Sequence, residues 1–279
     1  MQVAKIRYND IDAPAIFTRS LQKTGFGVLA DHPIHFELVN RVYREWEEFF
    51  NSEKKHDYLF DPINQDGYFP IGTENAKGYP IKDHKEFYHF YPWGRKPSTS
   101  SGATLELYDN LVSMTATLLE WIEENTPEEV RSKFSESLKN MISGSKTNLL
   151  RIIHYPPFIG EEDNRSLRAA AHEDINLITL LVAGTKPGLE AQDNNGVWHK
   201  ITTDPGTIIV NIGDMLEEAS GGYYPSTTHR VVNPGKGSDN DSRYSMPLFL
   251  HPRNEVVLSE KYTAGNYLNE RLKEIGLKT

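Results

Sequence analysis

A mainly β fold carrying an N-terminal layer of helices is what this 279-residue sequence predicts, and two patterns and the lack of a seam between them carry the prediction. From about residue 148 the apolar residues alternate with polar ones or gather into short runs: NLLRIIHY, NLITLLVAG, GLEAQD, VWHKI, GTIIVNIG, THRVVN and RYSMPLFLH, separated by Gly, Pro and Asn/Asp clusters. Seven or eight short strands at this spacing read as a closed or two-sheet structure, a barrel or jelly roll, rather than a parallel α/β sheet. Before residue 148 the apolar period is helical. No linker rich in Pro, Gly or Ser and no repeat divides the two halves. The reading is therefore one domain: 1–147 a helical layer and flap, 148–253 the β core, 254–279 a C-terminal segment.

In HFELVNRVYREWEEFFNS the apolar residues Val39, Val42, Tyr43, Trp46, Phe49 and Phe50 recur at steps of three and four, which lays them on one helical face. A second helix, ATLELYDNLVSMTATLLEWIEEN, aligns Leu107, Leu111, Met114, Leu118 and Ile122 in the same way. A third is expected at Thr126-Pro127-Glu128-Glu129, with Thr126 as N-cap, proline at the first helical position and Glu129 closing a capping box. Residues 61–97 fit neither period and are long for a plain connection, so an ordered flap rich in aromatics is expected there.

Composition narrows the chemistry. Thirty Lys+Arg against 39 Asp+Glu give a net charge of −9, which disfavours nucleic acid and anionic membrane as partners. There is no cysteine, so a metal site must use His, Asp or Glu. No apolar run reaches the roughly 18 residues of a membrane span, and the N-terminal stretch lacks the apolar region of a signal peptide. A cytoplasmic protein is the expectation.

The stretch AAHEDIN holds His172 and Asp174 two residues apart, so in extended backbone both side chains leave one face. A third ligand has to come from another strand, and YYPSTTHRVVNP supplies His229 just before an apolar run. Two histidines and one carboxylate cover one face of an octahedron and leave the other positions open, the arrangement of non-haem Fe(II) oxygenases. Fourteen residues further on, SRYSMPLF places Arg243 and Ser245 on one face of a strand, a guanidinium and a hydroxyl suited to a carboxylate.

Taken together, LLRIIHYPPF, AAHEDINLITLL, GLEAQDNNGVWHKI, PGTIIVNIGDMLEEASGGYYPSTTHRVVNP and SRYSMPLFLHP resemble, in order and spacing, the isopenicillin N synthase-like family of Fe(II)/2-oxoglutarate-dependent dioxygenases. TGFGVLADHPI and GYFPIGTENAKGYPIKDHKEFYHF are similar to that family's helical domain, so the likeness covers nearly the whole chain. The resemblance implies a double-stranded β-helix, a cupin-like jelly roll behind N-terminal helices. It implies Fe(II) on His172, Asp174 and His229, 2-oxoglutarate as cosubstrate on Arg243 and Ser245, O2 as co-reactant and ascorbate as the reductant used in vitro. Tyr155 matches a tyrosine that binds the oxoacid or substrate, while Ile153 stands where several members carry an asparagine. Because the family's flap lies over the site, Phe87, His89, Tyr91 and Trp93 are expected to line the substrate pocket.

The remaining polar residues get plainer readings. His32, His35, His56, His84, His199 and His251 are expected at the surface or in caps, His154 to face away from Tyr155, Glu173 to be solvated, and Asn211 and Asp214 to build a turn. Hydroxylation of a small molecule, amino-acid-like or a secondary metabolite, is the expected reaction. An oxidative cyclase or desaturase working without the oxoacid, or a jelly-roll binding protein without turnover, are the alternatives.

Overall fold

The computed structural model describes residues 1–74, 81–160, 167–202, 204–234 and 240–274. The middle of the expected flap, 75–80, and the chain end, 275–279, lie outside the described residues. The chain runs β1 (Lys5–Arg7), α1 (Ala13–Thr24), β2 (Phe26–Ala30), α2 (Phe36–Asn51), a 3-10 turn (Glu53–Tyr58), β3 (Gly67–Phe69), β4 (Glu86–Phe90), α3 (Ala103–Glu124), α4 (Glu128–Arg131) and α5 (Leu138–Ile142). It continues through β5 (Leu149–Tyr155), β6 (Ala169–His172), β7 (Ile178–Val182), β8 (Leu189–Gln192), β9 (Trp198–Lys200), β10 (Ile208–Ile212), α6 (Asp214–Ser220), β11 (His229–Val231), β12 (Arg243–Leu250) and α7 (Ala264–Glu274).

Two sheets face each other. The larger has the order β1-β2-β10-β7-β12-β5-β4-β3 and the smaller β6-β11-β8-β9, antiparallel throughout except for β1 beside β2. Side-chain alternation assigns each face of the large sheet a task. Ile208, Val210, Leu180, Met246, Leu248, Leu150 and Ile152 pack with Leu107, Leu111, Leu118 and Trp46 of the helices. The opposite face looks into the jelly roll. There Ile209, Leu181, Phe26 and Val28 pack on Leu189 and Ala191 of the small sheet. Ile153, Tyr155, Phe69 and Phe87 pack on Ala169 and Val231. All six aromatic and β-branched residues expected on the face of α2 are buried, and so are the five on α3.

The structure departs from the expected layout in two places. The first 147 residues are not only helical: β1 to β4 join the large sheet, with β2 seated against β10 and β4 against β5. β2 is apolar on both faces and five residues long, so it shows no period of two. The capping box does not form. α4 starts at Glu128 behind Pro127 without a side-chain cap, while the Thr126 hydroxyl donates to Ile122 O at 2.6 Å and pairs with Tyr224 Oη at 2.7 Å. A buried hydroxyl that can finish the preceding helix and meet a buried tyrosine outweighs one turn of helix. Among the described residues no helix is long and apolar enough to cross a membrane.

Candidate metal centre and active site

The site is built outward from Asp174. β6 ends at His172, and the turn that follows carries Asp174 to the mouth of the jelly roll, where its side chain is buried. One carboxylate oxygen, Oδ2, accepts from Thr179 Oγ1 at 2.6 Å and from Asn211 Nδ2 at 2.8 Å. Thr179 on β7 and Asn211 on β10 are register partners, so two strands hold the carboxylate from one side. Asp214 N donates to Asp174 O at 2.8 Å. Gly213 makes that approach feasible, because a Cβ there would lie 2.1 Å from Asn176 O. Oδ1 is left facing the histidines.

β11 pairs with β6 so that His229 stands opposite His172, and the two rings lie 4.4 Å apart between centroids. Each ring has its Nδ1 against a main-chain carbonyl, His172 on Ala170 O at 2.8 Å and His229 on Thr227 O at 3.0 Å. A carbonyl only accepts, so both Nδ1 atoms carry the proton and both Nε2 atoms present a lone pair. Those Nε2 atoms lie 4.0 and 3.8 Å from Asp174 Oδ1, and the three ligand atoms are all within 4.8 Å of one another. Burial and the neighbouring His229 lower His172 to about 4, so it is neutral at physiological pH. Burial opposes charge on Asp174, but the two histidines and the hydrogen bonds from Asn211 and Thr179 outweigh it and hold the carboxyl below its ordinary range. Two imidazole Nε2 atoms and one carboxylate oxygen, all converging within 4.8 Å of one another, fit an Fe(II) ion.

Arg243 and Ser245 lie on the inward face of β12, both buried, with Tyr155 and Ile153 opposite them on β5. The Arg243 guanidinium stacks 5.0 Å from the Tyr155 ring, and its Nε donates to Lys186 O at 3.0 Å. Gly184 leaves room for it, since a Cβ there would meet Arg243 Nη2 at 3.0 Å. Among the described residues Arg243 Nη1 is buried and has no hydrogen-bond partner. A buried donor left open in this way matches a carboxylate-binding cradle. Ile153 makes the neighbouring wall apolar.

From β4, Phe87 and His89 point inward. Phe87 stacks on Phe69 at 4.4 Å and packs in the cluster with Ile153, Tyr155 and Val231. His89 is neutral, lowered to about 3 by burial and then by Arg151, and its Nε2 accepts from Arg151 Nε at 3.1 Å. Tyr91 continues this face and stacks on Trp93 at 4.6 Å, with Trp93 half-exposed and bonded to Lys146 O. The register puts that end of the strand beside Leu149, which neighbours Phe249 and through it Thr179, at the mouth.

Several participants were not legible as such. Asn211, read as part of a turn, holds Asp174, and Thr179 was not singled out. The signal was available in both cases: one polar residue inside an otherwise apolar strand. Lys85, Asp83, Glu74 and Arg151 form a largely buried ion-pair group, Lys85 to Glu74 at 2.8 Å and to Asp83 at 2.9 Å, Arg151 to Glu74 at 3.2 Å. His84 and His251, expected at the surface, are buried. His154 faces away from Tyr155 as expected, bonded to Glu86 and Ser242, and Glu173 is exposed.

Known proteins resemble this chain in sequence and fold. The sequence pattern of the 2OG-Fe(II) oxygenase superfamily matches residues 146–252, and that of the N-terminal region described as non-haem dioxygenase in morphine synthesis matches residues 15–110. The crystal structure of a presumed oxygenase from Shewanella oneidensis is 50% identical and covers 99% of both chains with a TM-score of 0.90. That of a presumed 2OG-Fe(II) oxygenase family protein from Caulobacter crescentus is 30% identical, covering 98% of this chain and 99% of its own, with a TM-score of 0.80. Flavonol synthase 1 from Crocosmia x crocosmiiflora is 29% identical over 245 residues, 84% of this chain and 70% of its own. The fold, the triad and these likenesses define a jelly-roll oxygenase. The chain belongs to the 2OG-Fe(II) oxygenase superfamily, whose members use Fe(II) and 2-oxoglutarate.

Proposed function

We propose that this oxygenase hydroxylates a small molecule inside the jelly roll, with His172, Asp174 and His229 holding Fe(II), Arg243 and Ser245 receiving the far carboxylate of 2-oxoglutarate, and Tyr155 binding the oxoacid or the substrate. The observation that carries this reading is the pairing of three converging free lone pairs at the mouth with a buried, unpartnered guanidinium donor on the inner face of β12. When bound, iron with the oxoacid and O2 supplies the oxidising power for C–H oxygenation.

The chain supplies the rest. Thr179 and Asn211 fix the Asp174 rotamer, and the carbonyls of Ala170 and Thr227 fix the histidine tautomers. Phe69, Phe87, Ile153 and Val231 give the interior an apolar wall that excludes water. His89 and Phe87 line the substrate's side of this wall, and Tyr91 and Trp93 stand at its rim. The apolar wall and the net charge of −9 favour a small molecule over a nucleic-acid polymer.

The test is a compound-library screen by mass spectrometry with Fe(II), 2-oxoglutarate, ascorbate and air. A product heavier by one oxygen atom, formed together with succinate, is expected. Loss of two hydrogens without oxygen gain would make the protein a desaturase or cyclase. Absence of succinate from iron-loaded protein, even at millimolar oxoacid, would overturn the oxoacid-using reading.

A further inference from the structure

Beside Arg243 lies a second buried guanidinium that the reading so far does not use. Arg168 immediately precedes β6 and is 2% exposed, as is Arg243. Its main-chain N–H donates to Asn233 Oδ1 at 3.0 Å, and its Nη2 donates to the carbonyl of Asp241, two residues before Arg243, at 2.7 Å. Among the described residues its Nε is buried without a partner, as is Nη1 of Arg243. Among the described residues neither arginine has a carboxylate within ion-pair distance, and Asp241 places its own carboxylate on Lys186 at 2.8 Å.

The contrast with the flap is instructive. There the buried Lys85 and the partly buried Arg151 are matched by Glu74 and Asp83. At the inner end of β12 two buried cations have no such acids. Burying an ion without a counter-ion is costly, and two like charges side by side raise that cost. Burial first, and then the charge of Arg243, lowers Arg168 from its ordinary value, which agrees with an uncompensated pair. An arrangement of this kind is stabilised by an anion that enters with the ligand.

We propose that Arg168 and Arg243 together form a two-guanidinium subsite for the far carboxylate of a dicarboxylic 2-oxoacid, with Arg168 setting selectivity against oxoacids that lack that carboxylate. This rests on the cosubstrate assignment of Arg243 made above. Arg168 is a specificity residue here, and its open Nε donor adds to those of Arg243 and Ser245.

The experiment is anaerobic calorimetry on Fe(II)-loaded protein with 2-oxoglutarate and with 2-oxobutyrate, which lacks the far carboxylate. Arg168→Gln should raise the Kd for 2-oxoglutarate tenfold or more and leave that for 2-oxobutyrate within twofold. Metal-free, ligand-free Arg168→Gln should melt no lower than wild type, because removing one of two repelling charges relieves the pair. Arg168→Lys keeps the charge but not the planar fork, and should fall between the two in its ratio of affinities. That variant carries the test should the glutamine variant not fold, and an unchanged ratio in it overturns the proposal. A 2-oxoglutarate Kd within twofold of wild type in folded Arg168→Gln overturns it too. Should Arg243→Gln weaken 2-oxoglutarate in that case, only the role of Arg168 fails; should neither variant weaken it, the assignment of Arg243 fails as well.

Discussion

Asn211 Nδ2 donates to Asp174 Oδ2 at 2.8 Å, and this bond from the middle of one strand decides which oxygen of the carboxylate faces the two histidines. Without it Asp174 retains only Thr179 on that oxygen and gains rotational freedom at the metal. Asn211→Leu, close in volume, should therefore keep the fold and weaken Fe(II) binding by roughly 10–100-fold, the usual cost of losing a partner of a metal ligand. Metal titration followed by circular dichroism checks both parts. Unchanged iron affinity would reduce Asn211 to a packing residue.

His172 and His229 each contribute one Nε2 to the cluster, and His172 has the more exposed side chain, 35% against 9%. His172→Ala and His229→Ala should each abolish turnover while the circular dichroism spectrum stays that of the wild type. Iron binding at wild-type affinity in both variants would remove them from the metal centre.

Arg243 is buried with an open donor, and on the proposed assignment its removal takes away the main charge partner of the cosubstrate. Truncating one member of a buried charge pair costs about 2–5 kcal/mol. Arg243→Ala should thus raise the 2-oxoglutarate Kd by one to several orders of magnitude, at tenfold per roughly 1.4 kcal/mol. Calorimetry that finds no change would place the carboxylate elsewhere.

Stability should fall as the pH drops below that of free histidine. Burial lowers His89 to about 3, and His172 and His251 to about 4, against an ordinary value of 6.5. Below pH 6.5 the unfolded chain takes up protons that the metal-free folded chain refuses, so unfolding is favoured as pH falls. The loss begins near the unfolded value and ends where the folded histidines protonate, with a limiting slope of about 1.4 kcal/mol per pH unit for each histidine. Denaturant titrations of metal-free protein between pH 6.5 and 5 should show it. His89→Gln, which retains an acceptor for Arg151, should flatten the slope by one proton's worth, and an identical slope in that variant would mean that His89 titrates normally.

Most strands of the core were legible because each is a run of three to eight residues between Gly, Pro or Asn/Asp breaks, and the two long helices because their apolar residues repeat at three and four. The triad was legible because His172 and Asp174 share a short motif and His229 opens its own strand. β2 escaped because a five-residue strand buried on both faces has no period of two, and the Thr126 cap failed because Tyr224, 98 residues away, offers its hydroxyl a better partner.

The sequence by itself determined the architecture, the donor types and the −9 net charge, since these depend on residue identity and local spacing. Only the tertiary structure decided that Asn211 and Thr179 turn Asp174 toward the histidines, and that Lys85 and Arg151 find acids. It also decided that Arg168 and Arg243 lie buried without ion-pair partners among the described residues. Each of these joins residues far apart in the chain, and a buried charge becomes costly or useful according to what the fold brings beside it.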